Sequence, residues 1–372
     1  MSSLQLYQYE PDYAVHPGKI LKEHLSARNM KQSDLARLCG LSAKHISQII
    51  SGNAPVTPET AIQLERVLGM SANIWNNLDA DYRLHIAKEE ERKRLSAAVQ
   101  WLKQFPVREL KKGGFLPKSR DTVDIARGLL SFLGVGSFEN WEASYNILAV
   151  SCRQSPAFKS SKESVAAWLR IGELMAENIS TQSYDRDTFE ESLRAIRALT
   201  RELPSVFEPR MRELCRQSGV ALVFVAELPG THLSGATRWL NRNKALIIQS
   251  LRYKKDDHFW FTFFHEAAHI LLHGKNRKSL FIDDTKMDSS DKEDEANHFA
   301  ANALIPEAKY LSFVSKGRFY EEHIVAFARQ LGIAPGIVVG RLQYDRKIKP
   351  SWQNKLKRSF ELVESTREDQ AE

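Results

Sequence analysis

Phe259-Trp260-Phe261-Thr262-Phe263-Phe264-His265-Glu266-Ala267-Ala268-His269-Ile270-Leu271-Leu272-His273 is the stretch on which the reading of this chain turns. It reads as one helix over residues 257–273, stopped by Gly274. Side chains four apart on a helix project from one face, one turn apart. His265 and His269 can therefore approach one zinc ion, and Glu266 beside them can take a proton from water and return one to a leaving amine. The plainer alternative is two histidines on an amphipathic helix. The aromatic run 259–264 is read as core packing.

A tetrahedral zinc site with an open position needs a third protein ligand. The next predicted helix, residues 293–304, offers Glu293, Asp294, Glu295 and His298. Ala296, Ala300 and Ala301 would let it pack closely on the first helix. Two steps turn a helix by roughly 200°, so Glu293 and Glu295 do not share one role, and Glu295 is taken as the ligand. His298 is the alternative, as ligand or as hydrogen-bond partner of one. His273, one turn beyond His269, is read as structural or supporting. His232, Arg238, Arg242 and Tyr253 precede the helix as candidates for an oxyanion contact or for lining a substrate groove; His258 is unassigned.

Upstream, strand-like runs cover residues 220–225 and 244–249, with a loop or short strand at 230–238 between them. Residues 107–200 read as mainly helical, with helices near 121–133, 161–178 and 187–200. The chain divides into a loose arm (1–14), a compact region (15–86), a charged helical linker (87–119), a helical intermediate region (120–203), the histidine-bearing domain (204–345) and a charged tail (346–372).

With 372 residues, 42% of them apolar, the chain can build two or three cores. Cys39, Cys152 and Cys215 form no CxxC pair, which excludes a disulfide framework and a cysteine zinc site and fits a reducing cytoplasm. No apolar run reaches the roughly 20 residues of a membrane span, and no secretory signal is visible, so a cytoplasmic protein without a membrane partner is expected. The net charge of +7 permits nucleic-acid binding without establishing it.

Residues 31–50 have the layout of a DNA reader: a short helix, Gly40 at a turn, then a second helix capped by Ser42 with a polar outer face. Ser42, Ala43, Lys44, His45, Ser47 and Gln48 are the exposed candidates. Lys44 would contact guanine or phosphate, and Gln48 would read adenine. Gln32 would set an amide and a helix start against a phosphate. Further helices are expected at 17–25, from Pro58 after the Thr57 cap, and at 71–78. A small bundle with an ordinary polar surface is the plainer alternative.

Two resemblances follow from these residues. His16-Pro17-Gly18-Lys19-Ile20-Leu21, His45-Ile46-Ser47, Ile50-Ser51-Gly52, Val56-Thr57-Pro58-Glu59-Thr60-Ala61 and Trp75-Asn76-Asn77-Leu78-Asp79-Ala80-Asp81-Tyr82 resemble the HigA-type antitoxins of the Xre family, over about residues 14–86. That resemblance implies a dimeric repressor on palindromic double-stranded operator DNA, with a toxin as a further partner in some operons. His265-Glu266-Ala267-Ala268-His269 with Glu295-Ala296-Asn297-His298-Phe299-Ala300 and Leu304-Ile305-Pro306 resembles the ImmA/IrrE zinc metallopeptidases, over about residues 205–310. This implies Zn2+ held by His265, His269 and Glu295, Glu266 as the catalytic acid/base, and a regulatory protein as substrate. Ala268 stands where many relatives have glycine, a small change on a helix. Together they imply a mainly α fold with a smaller α+β portion: a five-helix lambda-repressor-like helix-turn-helix domain, then a zincin-like α+β metallopeptidase domain. The function expected is a DNA-binding repressor that cleaves a regulatory protein or senses a signal. The alternatives are a non-catalytic metal- or effector-binding transcription factor, a peptidase that uses the helix-turn-helix to dock substrate, and an antitoxin.

Overall fold

The computed structural model describes residues 14–143, 161–274 and 289–361. Cys152, the arm before residue 14 and the tail beyond residue 361 lie outside the described residues. The chain divides into two compact units, Met1–Val99 with Asp121–Val123, and Gln100–Arg120 with Asp124–Glu372.

The first unit is helical: α1 (Pro17–Ala27), α2 (Gln32–Cys39), α3 (Ala43–Ile50), α4 (Pro58–Leu68) and α5 (Ala72–Ser96). Proline at the first helical position starts α1 and α4, where its missing N–H costs nothing. Ser42 Oγ accepts the His45 N–H at 3.1 Å and starts α3. Gly40 ends α2 at φ +69°, a left-handed conformation that L side chains rarely adopt and that turns the chain from α2 into α3. Leu21, Leu35, Ile46, Ile49, Leu64 and Trp75 close the core, each fully buried. Asp79, itself buried, accepts the Val56 N–H at 3.1 Å and pairs with Arg83 at 2.7 Å, which ties the chain before α4 to α5. The sequence predicts separate helices at 71–78 and 85–105; the structure joins them through Ser96, because nothing between Ser71 and Ala97 breaks a helix.

The second unit has short helices α6 (Val107–Lys112) and α7 (Thr122–Leu133), then α8 (Lys162–Glu177), α9 (Arg186–Ala198) and α10 (Pro204–Gln217). Strands β1 (Val220–Phe224), β2 (Gly235–Asn241) and β3 (Lys244–Gln249) follow. Helices α11 (Asp256–His273), α12 (Ser289–Leu304), α13 (Glu307–Val314), α14 (Glu321–Leu331) and α15 (Pro335–Tyr344) complete it. The sheet order is β1-β3-β2, with β1 parallel and β2 antiparallel to β3. Adjacent strand residues face opposite sides. Ile247 packs into the core with Phe259, Trp260 and Phe263 of α11, while Ile248 meets Gly172 of α8. Helices thus cover both faces of β3, and α8 packs on the sheet rather than forming a core of its own. Trp168 Nε1 donates to the Val225 carbonyl at 3.2 Å, across the same seam.

α11 is buried nearly all round, which is why its sequence lacks a clean apolar stripe. Arg197 donates to the carbonyls of Ala303, Leu304 and Leu331, closing the C-terminal ends of α12 and α14. The segment read as a charged tail from residue 346 is built into this unit as far as Glu361. Phe360 is buried against Phe207 and Phe259, and Lys357 pairs with Asp257 at 2.6 Å, both side chains almost fully covered. Single anchoring residues between charges leave no periodic stripe to read. Among the described residues, no single helix is long and apolar enough to cross a membrane.

Candidate metal centre and nucleic-acid interface

The helical phase of α11 brings the two histidines together, with Nε2 of His265 and Nε2 of His269 3.1 Å apart. Glu293 of α12 closes the group: its carboxylate lies 3.2 Å from His265 Nε2 and 3.5 Å from His269 Nε2. Donor atoms at the corners of a tetrahedral zinc shell, with bonds of about 2.0–2.1 Å, stand roughly 3.3 Å apart. The three measured separations bracket that value, so the donor set fits a metal ion of this size.

Glu295, the ligand expected from the sequence, is directed elsewhere. Its Oε2 lies 3.0 Å from His273 Nε2. The correction has a physical reason in helix phase. At 100° per residue, Glu293 shares the direction of Ala300 and Leu304, both buried, whereas Glu295 is roughly opposite Leu304. That signal was present in the sequence, in the spacing of the small residues. His298 is exposed, away from the group. Asn297, which no motif singled out, places Oδ1 3.1 Å from His265 Nδ1. His273 Nδ1 lies 3.0 Å from His269 Nδ1, so a chain Glu295–His273–His269 backs one donor and Asn297 backs the other.

Electrostatics favour a cation between these donors. Burial, and then the neighbouring His265, push the His269 pKa down to about 4, so its ring is neutral at pH 7 and has a lone pair to give. Burial also works against the charge of His265, but Glu293, Glu266 and Asn297 together hold its pKa above the usual histidine range. The hydrogen bond from His265 holds the Glu293 carboxyl below the usual carboxylate range against the effect of burial.

Glu266 is buried, and burial raises its pKa to about 7, against the pull of His265 and of Thr237. Thr237 of β2 donates to Glu266 Oε2 at 2.7 Å, with the Glu266 carbonyl also within 3.1 Å. At the head of the same strand, a Cβ on Gly235 would come within 2.6 Å of Glu266 Oε1. Glycine there is what lets the strand lie over the carboxylate. The sequence marked Gly230 to Arg238 only as a loop or short strand; Thr237 was missed because its partner lies 29 residues away. Arg238 pairs with Glu173, His232 lies 3.4 Å from Glu227, and Tyr253 stacks on His258 at 4.4 Å.

In the first unit the candidate residues gather on one surface. Gln32 opens α2 and is exposed. Ala43, Lys44 and Ser47 are exposed on α3, His45 and Gln48 are half-buried beside them, and Ile46 and Ile49 anchor the opposite face. Ser42 is exposed, with its hydroxyl oxygen engaged as the cap of α3.

Residues 21–75 match the helix-turn-helix family, and residues 222–343 match the IrrE N-terminal-like domain. Virulence-associated protein I of Dichelobacter nodosus is 32% identical over 79 residues, 21% of this chain and 73% of that protein. The uncharacterized HTH-type transcriptional regulator YddM of Escherichia coli (strain K12) is 34% identical over 73 residues, 20% of this chain and 78% of that protein. Among solved structures, the Pseudomonas aeruginosa antitoxin HigA with the higBA promoter is 30% identical, covering 23% of this chain and 96% of that one, at a TM-score of 0.22. A HigA-family addiction module antidote protein from Coxiella burnetii is 28% identical, covering 23% and 94%, at a TM-score of 0.21.

Proposed function

Since the chain belongs to the Xre-type helix-turn-helix regulators through its N-terminal unit and carries an IrrE N-terminal-like peptidase domain after it, we propose that it is an operator-binding regulator with zinc-dependent peptidase chemistry of its own. The observation that carries the second half is the approach of His265, His269 and Glu293 to within 3.1–3.5 Å of one another, with Glu266 next in sequence. These three would hold Zn2+, and Glu295 serves behind His273. When bound, zinc supplies a Lewis acid that polarises a peptide carbonyl and makes water a nucleophile at neutral pH. Glu266 does the proton work: Oε2 is steadied by Thr237, and Oε1 accepts the proton of the attacking water and delivers it to the leaving amine. A pKa near 7 suits a group that must both take and return a proton. The substrate class is a regulatory protein.

In the first unit, α3 enters the major groove of double-stranded operator DNA, with Lys44 and Gln48 at base edges and Gln32 at a phosphate. A homodimer on a palindromic site matches a reader of this size, and the likeness to antitoxins keeps a toxin as an alternative protein partner. The cytoplasm, where operator DNA lies, is the compartment.

The deciding experiment is zinc titration of the full chain, together with cleavage of proteins encoded beside its gene, by wild type and Glu266→Gln. Stoichiometric zinc in both and cleavage by wild type alone are expected. Cleavage that persists in Glu266→Gln would overturn the assignment of the base.

A further inference from the structure

A cavity of about 110 Å³ opens between α11, α12 and α15. We propose that it receives a long aromatic side chain, tyrosine best, of the peptide seated at the metal centre; this deepens the peptidase reading and rests on it.

The argument begins with helix phase. On α11 the cavity is walled by Asp257 and Phe261, four residues apart, and the next residue at that spacing is His265. On α12 it is walled by Ala301 and Leu304, and one turn earlier on the same side comes Asn297, then Glu293. The stripes that build the cavity are thus the stripes that build the candidate metal centre, continued by one turn. The Phe261 ring lies 6.2 Å from the His265 ring and forms the wall between the two. A free effector would need no such alignment, but a side chain hanging from a backbone at His265 does.

The chemistry of the walls selects the occupant. Phe261, Ala301, Leu304, Ile305 and Ile337 make the lining apolar. The volume is on the scale of engineered cavities of roughly 150 Å³ that take benzene. Asp257 supplies the exception. Its side chain is 8% exposed; Oδ2 is held by Lys357, while Oδ1 has no hydrogen-bond partner. A buried acceptor left so costs about 1–3 kcal/mol, which a donor on the occupant would recover. Eight residues of helix separate Asp257 from His265, roughly 12 Å. Only a long side chain spans that reach, and a phenol ends in the required donor.

The test uses the zinc-loaded full chain and hydroxamates of one backbone that carry glycine, leucine, phenylalanine or tyrosine side chains, with affinities read by calorimetry. The aromatic members should bind about tenfold or more tighter than the glycine one, with tyrosine ahead of phenylalanine. Ala301→Leu, which fills the cavity, should erase that advantage and leave zinc content and the glycine hydroxamate's affinity unchanged. A flat wild-type series, with zinc and hydroxamate both bound, overturns the pocket and leaves the metal centre standing. Failure of every hydroxamate on protein that holds zinc overturns the peptidase reading and this proposal with it. A metal-free arm reads indole binding by ligand-detected NMR; indole that binds and is displaced in Ala301→Leu supports the pocket, and indole that never binds counts against it. The wild-type series stands alone if Ala301→Leu does not fold.

Discussion

The two units handle their chemistry in opposite ways. The helix-turn-helix unit displays Lys44, Ser47 and Gln48 on the outside of a short helix whose inner face, Ile46 and Ile49, is fully buried. The second unit takes Glu266 and His269 into a helix buried nearly all round and surrounds them with groups from β2 and α12. A surface reader needs only a stable scaffold, because DNA supplies the partner groups. A hydrolytic centre must supply its own, held at fixed distances in a region of low dielectric. Changes in the second unit should therefore propagate through neighbours, and changes in the first should stay local.

The sharpest way to break that contrast is at the third ligand. Glu293→Ala should lower zinc affinity on the order of a thousandfold, whereas Glu295→Ala, one residue pair away, should lose about 10–100-fold through His273. Competition with a chromophoric chelator orders the two, and a larger loss for Glu295→Ala would restore it as the ligand. Glu266→Gln should leave zinc and operator binding intact while hydrolysis falls by about 10²–10⁴. Operator affinity that fell with it would show the two units to be coupled.

Buried charge gives a second, smaller contrast. Burial pushes Asp256 up to about pKa 6, with Asp257 adding to the effect and hydrogen bonds from the backbone opposing it. An acid whose folded pKa exceeds its unfolded value makes the folded state bind more protons, so its contribution becomes destabilising as pH rises through about 4 to 6. Asp256→Asn should then unfold later than wild type at pH 7, by on the order of 2–3 kcal/mol, with the gain gone below about pH 4. Denaturant melts at both pH values check the sign. In the first unit, Gln48→Ala should cost about 1–3 kcal/mol at one operator position, while Lys44→Ala should weaken all sequences alike if it meets phosphate and reduce the salt slope by about one. Binding isotherms across salt separate the two. Smallest of all, Ser42→Ala should lower thermal stability of this unit by about 1 kcal/mol, the cost of an N-cap, without touching zinc.

Legibility follows the same divide. The reader's surface occupies Gln32 to Gln48, and each residue's exposure follows from the period of one or two helices. Its caps, Ser42 and Thr57, and its turn at Gly40 are local signals that the structure repeats. In the second unit the histidine pair is equally local and equally legible. Glu293 was within reach through the phase of Ala300 and Leu304, but was set aside for Glu295. Thr237, Gly235 and Lys357 carried no such mark, since nothing near them in the chain explains their presence.

The sequence by itself determined the helix-turn-helix, the paired histidines and the neighbouring glutamate, all of which depend on spacing within a single helix or across one short turn. Only the tertiary structure decided which acid meets the histidines, what steadies Glu266 and where the cavity beside them lies. Those depend on how two helices and a strand are set against each other, and that is a property of packed side chains far apart in the chain.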